Sequence, residues 1–320
     1  MNYAFFALFL TTKLLYSQTA DDWIHSRGDE AMTGTSPMVL KYPLKPAWQF
    51  KTMEKSKGQV EMLVSSAVVR GEKVYVGCKD RKFYCIDLAT GNAIWKEVAQ
   101  GAFDGVAVFA GDLVVAGCQD AFVYVWNAET GKEVWSFESD DEIHAAANVW
   151  TDPDSKSQHI IIGSYVHNLY SLDAKTGKKE WSAETGNNMV FGACDNTVYI
   201  HDARTGRKQT EIDVGAPVGN NVVAADGIIY FAHYGNRVGA YSIAGGQLVW
   251  EYGEREFEFY AAPSICERTV FVVGRDKRFL AIDCDSGKLK WEFRDRDRID
   301  SSALACGGKS VIFGCDDGYI

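Results

Sequence analysis

No stretch of the sequence reaches the roughly 18 uninterrupted apolar residues that a membrane-spanning helix needs, so a helical span is excluded. Clusters of Lys and Arg are missing too. The 33 basic residues are outnumbered by 43 acidic ones, for a net charge of -10. Such a surface repels a phosphate backbone on average, which rules out nucleic acid as the expected partner. Among eight cysteines there is no CxxC, no CxxCH and no adjacent pair. That removes the usual marks of a zinc knuckle, a thioredoxin-like redox site or an attached haem. There is also no GxSxG, no HExxH and no Gly-rich phosphate loop ahead of a helix. The sequence therefore assigns no catalytic residue and no metal ligand, and each of the six histidines reads as a solvated or packed position.

What is present begins with an apolar run, Tyr3 to Leu10, a second short one at Leu14 to Tyr16, and then small and polar residues. Residues 1–20 read as a secretory signal peptide cleaved near Ser17 or Ala20, which implies export to the periplasm or the cell surface. No Cys precedes Cys78, so the early cysteine of a lipid-anchored export signal is missing. Export invites a disulfide reading, but Cys78, Cys118 and Cys315 occupy one place in three copies of a local pattern, VGCKD, AGCQD and FGCDD. Matching points of a repeat are displaced by the repeat vector, and small residues beside a turn explain them without a bridge.

That repeat dominates the chain. LATGNAIW ends at Trp95, AETGKEVW at Trp135, AKTGKKEW at Trp181, IAGGQLVW at Trp250 and CDSGKLKW at Trp291. Measured at Gly91, Gly131, Gly177, Gly206, Gly246 and Gly287, the copies step by 40, 46, 29, 40 and 41 residues. A period near 40 with β-branched and aromatic alternation, broken by RGEK, AGDL, ADGI and CGGKS turns, predicts four strands per repeat. Blades this small bury their faces only by stacking around an axis, so the fold class is an all-β propeller of four-stranded antiparallel blades, with about seven repeats visible. Asp87, Asp173, Asp202 and Asp283 are placed to accept backbone N–H bonds in the turn, and the following Gly to supply a positive φ. The Trp four residues on is expected to fill the wedge between neighbouring blades.

The pattern A-x-D-x-x-T-G-x-x-x-W resembles the tryptophan-docking repeat of the quinoprotein family, named for pyrroloquinoline quinone (PQQ). WIHSRGDEAMTG, with Trp23, Arg27, Gly28, Thr33 and Gly34, is similar to the lead-in of exported members of that family. The resemblance sets a lead-in at residues 21–47 and a PQQ-like propeller at 48–320, with blade-docking residues Trp48, Trp95, Trp135, Trp181, Trp250 and Trp291. PLKPAWQF, around Trp48, is read as an outermost strand supplied from the N-terminal side. The family implies eight blades in a complete member, and a chain stopping at FGCDDGYI, midway through a seventh repeat, is read as C-terminally truncated. Between Gly177 and Gly206 the repeat is short, which predicts a three-stranded or neighbour-patched blade. Its Thr210 stands where Trp is expected and leaves the wedge empty.

Aligning the first strands brings Asp104, His144, Tyr260 and Asp300 to one position, just before the small pairs Ser65-Ser66, Ala145-Ala146, Ala261-Ala262 and Ser301-Ser302. On that register they ring one mouth of a channel, either as a hydrated rim or as a ligand or cation site. GEREFEFYAAP, with Arg255, Glu256, Phe257, Phe259 and Tyr260, reads as an alternating strand or as a protein-contact patch. The vicinal Cys pair, calcium-binding Glu and Asn, and Asp base of the quinoprotein dehydrogenases have no motif here. The leading expectation is a non-enzymatic scaffold that binds periplasmic or outer-membrane proteins and needs no cofactor, similar at fold level to the propeller lipoproteins of outer-membrane assembly. The alternative is a propeller that binds PQQ with calcium, or another small ligand, and has oxidoreductase activity.

Overall fold

Period-two patterning gives short strands, and tight turns return each one beside the last. The computed structural model describes residues 5–8, 22–29, 32–52, 65–165, 168–184, 196–218, 222–253, 258–259, 261–299 and 301–315. The chain is an all-β, multi-blade propeller whose sheets follow in sequence order. The first three four-stranded blades are Val68–Arg70, Lys73–Gly77, Lys82–Asp87 and Ala93–Val98; Val108–Ala110, Leu113–Gly117, Phe122–Asn127 and Glu133–Glu138; and Asn148–Thr151, Gln158–Gly163, Asn168–Asp173 and Lys179–Glu184. Two more are Val223–Ala225, Ile228–His233, Arg237–Ser242 and Leu248–Tyr252, and Ser264–Cys266, Thr269–Gly274, Arg278–Asp283 and Leu289–Arg294. The short repeat contributes a two-stranded sheet, Thr197–His201 with Lys208–Asp213, and the rest of it lies outside the described residues. Residues divide into two compact units, Met1–Ser26 with Leu40–Glu184 and Arg27–Val39 with Thr185–Ile320.

Within each unit the core lies between successive blades. Phe83, Phe103, Val114 and Trp126 close one such layer, and Val125, Ile143, Ile160 and Leu172 the next. Second and third strands are covered on both faces and read as apolar runs, whereas fourth strands alternate. Each fourth strand joins the third through a bulge, and the extra residue is Ile94, Val134, Glu180, Gln209, Val249 or Lys290.

The TGxxxW motif is the joint between blades. Asp87 Oδ1 accepts the Thr90 amide at 2.7 Å and its hydroxyl at 2.6 Å, and Asp173, Asp202 and Asp283 do the same in their turns. Asn127, just before AETGKEVW, serves Thr130 identically. The glycine takes φ near +70°, and its bare Cα lies under the indole of the preceding blade. A Cβ on Gly91, Gly131, Gly177 or Gly287 would come within 2.6–2.7 Å of Trp48, Trp95, Trp135 or Trp250. The same indoles donate Nε1–H to Leu88, Ala128, Ala174 and Cys284 carbonyls at 2.7–3.2 Å. In the short repeat the wedge is not empty as expected. Ile212, buried to 4% exposure two residues beyond Thr210, packs against Gly246 in place of an indole.

The lead-in is stitched down twice. Trp23 exchanges two backbone bonds of 2.8 Å with Val69 in the first unit. In the second, Arg27 is buried and its Nη2 donates to Pro263 O and Ser264 Oγ at 2.7 and 2.6 Å and to Ala303 O at 3.2 Å. Burial lowers its pKa to about 10, and Asp29 partly opposes the shift. Thr35–Ser36 then pairs in parallel with Leu304–Cys306, whose other neighbour is Ser310–Ile312. Pro46–Phe50 pairs with Phe5–Leu8 and carries Trp48 to Gly91. Cys78, Cys85, Cys118, Cys266, Cys284 and Cys306 are free thiols, and burial raises Cys118 to about 12.

Two outcomes follow for stability. Gly131→Ala combines left-handed strain of about 1–2 kcal/mol with about 1–3 kcal/mol of overpacking on Trp95. Gly71→Ala, at φ +57° with nothing within 4 Å, carries the strain alone, and urea midpoints should separate the two. The Asp87, Asp202 and Asp283 carboxylates sit below their ordinary 3.8 because turn hydroxyls and amides donate to them. Their contribution is present above that value and is lost as pH falls through the lower folded values. Urea midpoints measured from pH 5 downward should fall less steeply in Asp87→Ala than in the parent.

Candidate functional site

Phe103 and Ile143 are fully buried plugs at equivalent points of neighbouring repeats. Each lies against a strand-end glycine, Gly77 or Gly117, with no room for a Cβ between them. Their amides donate to Cys78 O and Cys118 O at 3.2 and 3.0 Å. The next residues, Asp104 and His144, are thereby aimed at one another. Gly105 follows, pressed against the Ala145 carbonyl, and Ser65 Oγ donates to Gly105 O at 3.0 Å. This close stacking is why the pairs after the aligned position are small.

The imidazole of His144 lies between two carboxylates. Nδ1 is 3.2 Å from Asp104 Oδ2 and Nε2 is 2.9 Å from Glu142 Oε2. Gln119 Nε2 donates to the same Asp104 oxygen. The Tyr165 ring meets His144 edge-on at 5.3 Å, held there by its amide bond to Glu142 O at 2.8 Å. Side-chain exposure rises outward from 14% for Asp104 through 30% for His144 to 52% for Glu142. Both ring nitrogens thus face carboxylate oxygens, and Gln119 Nε2 also lies 3.4 Å from Nδ1. Asp104 Oδ1 is buried without a partner.

Calcium takes six to eight oxygen ligands. Around Asp104 the neighbours are an imidazole nitrogen and an amide nitrogen, and the second carboxylate lies on the far side of the ring. These residues do not fit a calcium-held quinone, and among the described residues no three His, Cys, Asp or Glu side chains converge on a metal position. Tyr260 and Asp300, expected at the same rim, lie outside the described residues, as do Arg255, Glu256 and Phe257. Phe259 is core, 3% exposed, so of the two readings of its segment it does not join a contact patch.

Gln119, Glu142 and Tyr165 were missed from the sequence. Two of them had a signal: Gln119 and Tyr165 both follow the small residue of AGCQD and IGSYV, the place of Lys79 in VGCKD. Glu142 had none, since its position matters only through the fold that turns His144 toward it.

Comparison with known proteins agrees with this architecture. A family model described as outer membrane protein assembly factor BamB matches residues 98–193 and 194–320. BamB from Moraxella catarrhalis shares the fold at TM-score 0.68 and 15% identity over 86% of each chain. A europium-containing methanol dehydrogenase does so at TM-score 0.72 and 12% identity, over 91% of this chain and 88% of that one. A computationally designed protein follows at TM-score 0.69 and 18% identity, over 86% and 85%. No curated protein sequence matches this chain. At such identities the solved structures speak for the fold alone, while the family model spans more than half of the sequence. The chain belongs to the PQQ-like repeat β-propeller family of the outer membrane protein assembly factor BamB.

Proposed function

We propose that this chain is an exported scaffold whose docking surface is non-enzymatic and holds other proteins in the periplasm or at the outer membrane, in the assembly role its family description names. The observation that carries the reading is the platform at Tyr165. An aromatic ring 58% exposed stands beside the half-exposed Glu142, both fixed from beneath by His144, Asp104 and Gln119. A rigid aromatic next to charge loses little side-chain entropy on binding and resembles the residues that dominate protein interfaces. Asp140, Asp141 and Glu142 make this loop acidic, so the partner surface it suits is basic. In this reading Asp104 and His144 serve to position the platform, and the two nitrogen neighbours of Asp104 count against a calcium-bound quinone there.

A photo-crosslinking residue at position 165 in cells should give one discrete protein adduct, lost on Glu142→Lys and reduced but not lost in Asp104→Ala, which loosens the platform without removing it. Diffuse adducts indifferent to Glu142 would refute the platform. Titration with PQQ, with and without calcium and followed by tryptophan fluorescence, should show no saturable binding. Saturable calcium-dependent binding that Asp104→Ala, His144→Ala or Asp300→Ala abolishes would replace the scaffold by a quinone-binding propeller. Stability should track burial within the platform. His144→Ala, which leaves a mostly buried carboxylate short of a partner, should cost about 1–2 kcal/mol in urea unfolding. Glu142→Gln, at an exposed pair, should cost less than about 1 kcal/mol.

A further inference from the structure

The third blade carries a polar chain that its architecture does not require. The extra residue at the fourth-strand bulge is Ile94, Val134 or Val249 in three other blades, exposed at 45, 48 and 48%. In a fourth it is Lys290, whose ammonium closes on Asp283 Oδ2 at 3.1 Å and Thr269 Oγ1 at 2.9 Å. The third blade has Glu180 there, and the bulge turns its carboxylate toward His159, near the start of the second strand. His159 is 9% exposed, and its Nδ1 is 2.5 Å from Glu180 Oε2. Its Nε2 is 2.8 Å from Ser157 Oγ. Ser171 Oγ donates to the same Glu180 oxygen at 3.0 Å, and the Trp150 ring packs 5.0 Å from the imidazole. Ser157 itself is partly exposed, on a turn whose other members are mostly solvent-facing.

With Nδ1–H donating to Glu180, the lone pair on Nε2 faces the serine hydroxyl. This is the order of groups that activates a serine: a nucleophile, a base in contact with it and an acid that orients the base. We propose that Ser157, His159 and Glu180 form such a set and take up the acyl group of activated aryl esters. The site lies on the loop after strand Asn148–Thr151, whereas His144 lies on the loop before it, so the activity is independent of the scaffold platform. Its substrate class follows from the turn. Asp154 and Ser155 amides are taken by Asp152 Oδ1 at 2.7 and 3.0 Å, and the Lys156 amide by Asp152 O at 2.9 Å. No amide of these three is spare for a developing oxyanion, a contribution otherwise worth about 10²–10³ in rate. Esters whose leaving group departs readily are therefore the substrates, and peptides are not.

In the step, Ser157 Oγ bonds to the carbonyl carbon while its proton passes to His159 Nε2. The carbon–aryloxide bond then breaks, and the aryloxide leaves as the phenol with that proton. Water, deprotonated by the same nitrogen, later attacks the acyl-serine and releases the carboxylic acid and free Ser157. The probe is p-nitrophenyl acetate, read by nitrophenol release and by mass spectrometry of the intact protein and its peptides. The expected result is a single acetyl adduct on Ser157, absent in Ser157→Ala. His159→Gln should slow its formation about 100-fold, as loss of a general base does, and Glu180→Gln about tenfold. Circular dichroism of each variant should match the parent, and Glu180→Gln, which keeps the shape of the hydrogen bond, guards against loss of fold in His159→Gln. No adduct on Ser157, an adduct only on Ser155 or on lysines, or a Ser157 adduct formed at the parent rate in folded His159→Gln would each overturn the proposal.

Discussion

An indole lying flat on a glycine peptide is the contact from which the blade order follows. The turn has to reach φ near +70° and also present a face without a Cβ, and only glycine does both. The Asp or Asn before it uses one oxygen to hold the turn through two donors, so that the carbonyl receiving the Trp Nε1–H keeps its place. One motif thus closes its own hairpin and receives the blade before it. The contact is strictly between sequence neighbours, the nearest-neighbour logic of a repeat protein.

The same economy leaves certain positions unclaimed. Between blades, Phe103 and Ile143 plug the layer, and the residue following each is directed outward with its chemistry undetermined by packing. At the bulges the extra residue also lies outside the core. Function in a repeat fold collects at such places, because substitution there leaves the joint untouched. The Asp104–His144–Glu142 platform occupies the first kind of position and the Glu180–His159–Ser157 chain the second.

How much of this was readable depended on whether the cause was local. The Asp-x-x-Thr-Gly turns and their variants, the positive φ of their glycines and the strand order rest on short-range geometry, and the sequence displays the glycine at each copy. The pairing of Asp104 with His144 was visible as a spacing of one repeat. Ile212 replacing a missing Trp was not, because the residue that fills a wedge is set by which side chain comes nearest, two positions away from the motif. For Phe259 the sequence left a strand position and a contact patch open, and only the fold buries it, at 3% exposure. Its ring packs in the core with Trp250, Tyr252 and Val272.

The sequence by itself determined the fold class, the turn chemistry and the tryptophans that meet Gly91, Gly131, Gly177 and Gly287, since the motif arises within about ten residues and recurs along the chain. Tertiary structure alone decided which side chains meet across that unit. It turned Glu142 and Tyr165 onto His144, passed the lead-in through Arg27 to the strands near Ser264 and Ala303, and used a bulge to bring Glu180 to His159. Those encounters join residues from separate strands and loops whose separation in sequence carries no periodic signature. Their distances are fixed by how blades stack, by burial and by the direction in which each side chain leaves the sheet, quantities that exist only once the chain is folded.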